Sequence, residues 1–306
     1  MESTTPPARA AEDLKKASGW HRGNPISADS LPADHLTERD IVLLRLLAEH
    51  RMLTIGQITA ALFPDPRRSR RRVAVLRALG LVETFRPPRP VGSSPMHCVA
   101  TAKALRLLAD SLENQTRAGR ARPTRADCAT AIAMRPDLAH LRGVNEVFCR
   151  LLGRARCEPD LALEDWLSEW SIARAFGGQV RPDGFGRWRE GEAWCEFFLE
   201  YDTGTEPQHR LLAKLTGYAD LAEAADVSSP VLFWLPGPGR EENLHRLLAD
   251  AAAGVPVATA FGDPATADPS GPVWRPAWGG QRLDLTGIGA AAARSLGVRQ
   301  RPHTLI

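Results

Sequence analysis

Apolar residues recur along the first hundred positions at helical spacing, broken by short polar punctuation. Ile41, Leu44, Leu47 and Ala48 share one face of a predicted helix behind Thr37, which forms an imperfect capping box with Asp40. Thr54 is placed to cap a second helix, Ile55 to Leu62, which Pro64 ends. A third follows, with Asp65 as its cap, Pro66 at its first position, Leu79 near its end and Gly80 as a left-handed stop. Three short helices with tight connections suit a helix-turn-helix and equally an ordinary three-helix bundle. The continuation separates the two. Leu81 to Phe85 alternates as a strand, a Pro/Gly/Ser loop runs from Arg86 to Pro95, and Met96 to Ala100 can return beside it. Helix, helix, helix, hairpin is a winged helix-turn-helix, closed by a further helix from about Thr101.

The second half has a different rhythm. A helix is predicted from Leu138 to Leu152, with Leu141, Val144, Val147, Phe148 and Leu151 on one stripe. Strand-like stretches follow at about Trp166 to Ala173, Val180 to Trp188 and Ala193 to Tyr201. An amphipathic helix from about Glu206 to Ala225 leads to the buried-type strand Val231 to Leu235. The order is α-β-β-β-α-β, and the fold class is α+β. The expected organisation is a disordered tail over 1–34, a winged helix-turn-helix domain over 35–113, a linker over 114–136 and an α/β domain over 137–306. Beyond Val257 the pattern yields only a short helix near Ile288 to Leu296. Gly237-Pro238-Gly239-Arg240 lacks the Gly-Lys-Ser/Thr of a phosphate loop and reads as a strand-to-helix turn.

Charge changes the picture of the first domain. The whole chain carries only +3, but Leu36 to Asp110 holds 13 Lys/Arg against 6 Asp/Glu. Such a local excess is the electrostatic footprint of nucleic-acid binding, or else a solubilising surface. On the third helix Val73, Leu76 and Leu79 point inward at 100° per residue, while Arg67, Arg70, Arg71 and Ala74 share the opposite face with Arg77 at its edge. Arginine suits phosphate forks and guanine edges, and a small Ala74 permits close approach to a groove floor. Arg72 falls nearer the buried side, where it snorkels or pairs with an acid. Arg86 and Arg89 stand where a wing would track the DNA backbone or minor groove. The base read does not follow, because arginines position as well as specify.

Composition excludes several classes. The 5 cysteines are scattered without a C-x-x-C pair, against a disulfide framework or zinc ribbon. The opening residues lack the apolar core of a signal peptide, and no run of about 18 apolar residues exists. The expectation is a cytoplasmic protein with no membrane partner.

Asp183 precedes Glu200 and Asp202, and alternation puts the latter two on one strand face. Three converging carboxylates repel unless a cation holds them, and Mg²⁺ with its oxygen preference is the obvious one, bound by Asp183, Glu200 and Asp202. The layout resembles the PD-(D/E)xK nuclease superfamily, a restriction-endonuclease-like fold. There Asp183 matches the first acid and Glu200 the second, while Asp202 stands where the lysine belongs. The resemblance implies that Lys214 on the following helix supplies the lysine and that Glu146 is an extra acid. Leu36-Thr37-Glu38-Arg39-Asp40, the third-helix arginines, Arg181-Pro182-Asp183, and Phe197 to Glu206 with Lys214 and Tyr218 are similar to the replication-relaxation family over roughly 36–235. That resemblance implies a DNA-linked role on plasmids and conjugative elements. The alternative for the acids is pairing with Arg181, Arg187 or Arg210 in an inactive scaffold, or a different α/β fold.

Two functions follow as expectations. One is a mobile-element protein acting on double-stranded DNA in replication or relaxation, with Asp183, Glu200, Asp202 and Lys214 as a nickase site if active. The other is a non-enzymatic regulator whose second domain forms a homodimer or docks a relaxase or replication protein.

Overall fold

The computed structural model describes residues 36–88, 92–113, 128–175, 180–225, 229–249 and 254–295. The expected tail over 1–34, Arg89 and residues 114–127 of the expected linker lie outside these. By its contacts the described chain forms two compact units, one ending at Arg156 and one starting at Cys157.

The first unit opens with α1 (Glu38–His50), followed by β1 (Leu53–Thr54), α2 (Ile55–Leu62) and α3 (Pro66–Ala78). Thr37 caps α1 through a closed capping box, in which the shorter Asp40 replaces the usual Glu and accepts from the Thr37 N–H at 2.6 Å. Leu43 and Leu46 are as buried as Leu44 and Leu47, so α1 is covered on more than one face. The Thr54 cap and its Gln57 partner close a second box at the start of α2. Asp65 accepts from the N–H groups of Arg67 and Arg68 and fixes the start of α3. Leu79 caps its end and Gly80 takes φ +71°, where a side chain would be strained.

Strands β2 (Val82–Phe85) and β3 (His97–Ala100) pair antiparallel, and β1 joins them in the order β1-β3-β2. At two residues, β1 is too short to show as alternation. A helix α4 (Ala102–Glu113) follows. A five-residue helix α5 (Ala129–Ala133) then seats Ile132 against Met52 and Val99, inside the stretch expected to be linker.

The long helix α6 (Leu138–Cys157) groups with this unit, whereas sequence alone placed it at the head of the second domain. The reason is local. Asn145 donates from Nδ2 to the carbonyls of Met52 and His50, and Gln57 donates to the Arg142 carbonyl. At Gly153 a Cβ would lie 2.6 Å from the Ala60 carbonyl oxygen, so only glycine allows this approach of α6 to α2.

In the second unit β4 (Leu161–Ser168), β5 (Gly184–Glu190) and β6 (Ala193–Tyr201) are antiparallel, and β7 (Val231–Leu235) and β8 (Val257–Phe261) continue parallel to β6. A two-residue β9 (Arg275–Pro276) completes a six-stranded sheet in sequential order. The expected strand at 166–173 lies earlier. After Ser168 the chain turns into α7 (Glu169–Ala175), with the Ser168 hydroxyl accepting from the Ser171 N–H and Arg174 stacked one turn on from Trp170. The strand expected from Val180 begins only at Gly184, behind Pro182. Helices α8 (Gln208–Ala225) and α9 (Pro238–Ala249) supply Leu211, Leu215, Tyr218, Leu221, Leu244 and Leu248 to the core over Phe185, Phe198, Val231 and Phe233. The glycine-proline turn does open a helix, α9. A last helix, α10 (Leu285–Ser295), packs on β6, close enough that a Cβ at Gly289 would meet the Trp194 carbonyl at 2.8 Å.

Candidate functional site

Helix α3 is sharply two-sided. Ser69, Val73 and Leu76 are buried, while Arg67, Arg70, Arg71, Ala74 and Arg77 are exposed, together with Arg68 and Ala78. The Ser69 and Thr59 hydroxyls meet at 2.6 Å and tie α3 to α2. Arg72 turns inward, donating from Nε to Asp40 Oδ1 at 2.6 Å and from Nη2 to Oδ2. Asp40 is fully buried; burial alone would raise its carboxyl, but the bonds from Arg72 and Thr37 outweigh that and hold it below the ordinary value. The rotation of α3 is therefore held on its inward side by a hydroxyl pair to α2 and an ion pair to α1. Arg86 is exposed but donates to the Ser94 carbonyl at 2.7 Å and the Ser93 hydroxyl at 3.2 Å, so it braces the β2–β3 loop.

In the second unit Asp183 sits one residue before β5, where its Oδ2 accepts from the Tyr201 N–H at 2.7 Å. Register places it across from Glu200, because Gly184 pairs with Leu199. Glu200 is 1% exposed and points to α8, as Phe198 does. Its Oε2 accepts from Lys214 Nζ at 2.5 Å and its Oε1 from the Tyr218 hydroxyl at 2.5 Å. Burial pushes the Glu200 carboxyl up to about 7; Asp183 adds to the rise, and Lys214 and Tyr218 oppose it. Burial would lower the Lys214 ammonium, but Glu200 and Asp183 leave it raised. Both partners thus shift upward. An ion pair alone would lower the acid, and here it does not, because the carboxylate is buried while the ammonium keeps access to water.

Asp183, Glu200 and Lys214 are thereby brought together, and Asp202 is not one of them. It lies past the end of β6, where Arg240 Nε and Nη2 bind it and its Oδ1 caps the Gly204 N–H at 2.7 Å. The alternation that puts Asp202 on the face of Glu200 ends with the strand. Glu146 is held by Arg150 one turn on, at 2.8 Å. Arg187 binds Asp165 and Glu196 across the sheet, at 3.1 and 2.6 Å, instead of Asp183 or Glu200.

The residues do not fit Mg²⁺ in this arrangement. Both Glu200 oxygens are committed to donors, Asp202 is occupied by a guanidinium, and among the described residues no group of three or more His, Cys, Asp or Glu is placed to hold a metal ion. Two partners were not singled out as such from sequence. Tyr218 entered only as part of the family pattern, though a phenol one turn beyond Lys214 on an apolar face signals a buried acceptor. Arg240 read as part of a turn.

An arginine-faced helix beside a β-hairpin, and a mixed sheet carrying a buried acid–lysine–tyrosine cluster, define a two-unit α+β protein. The family model described as Replication-relaxation matches residues 44–232, and the chain belongs to that family. No curated protein and no solved structure matches it. Among the described residues no helix is long and apolar enough to cross a membrane.

Proposed function

We propose that this protein binds double-stranded DNA through a winged helix-turn-helix, formed by α1 to α3 and the β2–β3 hairpin, and acts in replication or relaxation of plasmid DNA. The observation that carries the reading is the exposure of Arg67, Arg70, Arg71, Ala74 and Arg77 on one side of α3, with Ser69, Val73 and Leu76 buried on the other. A helix so loaded presents guanidinium forks to phosphates and base edges at once. Arg86 stiffens the wing instead of reaching freely from it. The second unit is a restriction-endonuclease-like scaffold in which Lys214 pairs with Glu200 and the Tyr218 hydroxyl donates to it. The unit serves to position a relaxase or replication protein, or a second copy of the chain, on that DNA.

The meeting of Asp183, Glu200 and Lys214 is the one observation that favours a second reading, a nickase, and that reading requires Glu200 and Asp202 to give up Lys214, Tyr218 and Arg240 before they could hold Mg²⁺. Incubating the full chain with supercoiled plasmid, with and without Mg²⁺ or Mn²⁺, separates the two. Retarded plasmid that stays supercoiled supports the scaffold. Open circles that disappear in Asp183→Ala and Glu200→Ala support the nickase. Plasmid that is neither retarded nor nicked refutes both.

A further inference from the structure

We infer that the α3 face reads guanine, and that the target of this protein carries guanines within a window of three to four base pairs. The inference rests on the DNA-binding reading above and adds a base to it.

Among the described residues, the exposed positions of α3 are Pro66, Arg67, Arg68, Arg70, Arg71, Ala74, Arg77 and Ala78. None is an amide, carboxylate or hydroxyl. The helix's one hydroxyl, Ser69, is buried against Thr59 and the Pro66 carbonyl. The amide of Gln57 on α2 is buried too, and its oxygen and nitrogen are both engaged. An adenine edge offers one donor and one acceptor, and needs an amide to match both; a cytosine amino group needs an acceptor. This surface supplies neither. Guanidinium groups only donate, and the major-groove edge with two adjacent acceptors is that of guanine, O6 and N7.

Geometry sets the window. Arg67, Arg70, Arg71, Ala74 and Arg77 fall within an arc of about 120°, at 100° per residue, with Ala74 near its centre. From Arg67 to Ala74 the helix rises about 10 Å, which spans roughly three base-pair steps, and Arg77 at the edge of the arc adds about one more. The methyl groups of Ala74 and Ala78 leave room for a groove floor and suit a thymine methyl. Arg68 lies outside the arc, beside Asp65 at 3.4 Å, and falls to phosphate contact.

The test is selection of duplexes from a random pool by the full chain, followed by replacement of the selected guanines with 7-deazaguanine, which lacks the N7 acceptor. The expected result is a run of enriched guanines no longer than the window, and a loss of affinity of about tenfold or more on the deaza substitution. Arg67→Lys, Arg70→Lys and Arg71→Lys keep the charge and lose the fork, so at least one should lose guanine preference far more than salt dependence. Enriched sites made of A·T pairs alone, or tight binding with no enriched base, would overturn the inference and leave DNA binding standing. No binding to any duplex would remove the DNA-binding reading, and this inference with it.

Discussion

Replacing Arg72 by Met removes the guanidinium that holds Asp40, and the consequence can be worked from the geometry. Asp40 is fully buried and its two oxygens receive two N–H groups from Arg72. Breaking a buried pair by deleting one partner costs about 3–5 kcal/mol. Two features reduce this. The Thr37 N–H and hydroxyl still bind Oδ2, at 2.6 and 2.7 Å, and the Arg72 side chain is 25% exposed, so water already screens the pair in part. The expected loss is about 2–3 kcal/mol in the first unit. Tryptophan fluorescence will not see it, because the eight tryptophans include none between Trp20 and Trp166. The assay is therefore hydrogen exchange read by mass spectrometry on α1 and α3 peptides, with fluorescence melting of the second unit as the internal control. Adding Asp40→Asn should recover much of the loss, since the stranded charge goes with it. The pH sign also follows. The folded Asp40 carboxyl is held below its ordinary value, so its contribution is complete above that value and fades as pH falls through the lower folded one. The gap between wild type and Arg72→Met should therefore narrow on acidification. A loss under about 1 kcal/mol, or no recovery in the double variant, would refute this account of how α3 is oriented.

Three further outcomes are expected. Gly153→Ala should destabilise the first unit by about 2 kcal/mol or more, because its Cβ would meet the Ala60 carbonyl at 2.6 Å; unchanged exchange in α2 and α6 would contradict the packing. Burial raises the Glu200 carboxyl to about 7, so its share of stability is complete below the ordinary carboxylate range and is lost as pH rises through about 7. Fluorescence melting of wild type should accordingly fall between pH 5 and pH 8 relative to Glu200→Gln, and parallel curves would count against the buried acid. Tyr218→Phe removes one donor to Glu200 and should cost the second unit about 1–2 kcal/mol, read by the same melting; a neutral effect would mean that the hydroxyl is not bonded there.

Much of the chain's plan was legible as spacing and punctuation. Thr54, Asp65 and Gly80 mark helix ends because capping is local chemistry, and Ala193–Tyr201 and Val231–Leu235 stand out as apolar runs between turns. The α3 face was legible too, because its buried and exposed residues separate at helical spacing. What sequence could not show were decisions made by distant partners. The grouping of α6 with the first unit depends on Asn145 reaching Met52 and on a glycine opposite Ala60. Asp202 leaves the acid pair because a strand ends and an arginine 38 residues later receives it. The meeting of Glu200 with Lys214 was expected by resemblance, but that Tyr218 donates to the other Glu200 oxygen depends on how α8 lies over β6, which spacing does not show.

The most direct measurement is the affinity of the full chain for a labelled duplex across a salt series, wild type beside Arg67→Ala/Arg70→Ala/Arg71→Ala. If the exposed side of α3 lies in a DNA groove, the triple variant binds more weakly, and its log K against log salt slope is shallower by about 0.9 for each phosphate that it no longer neutralises. Equal affinity and equal slope in the two proteins would contradict it.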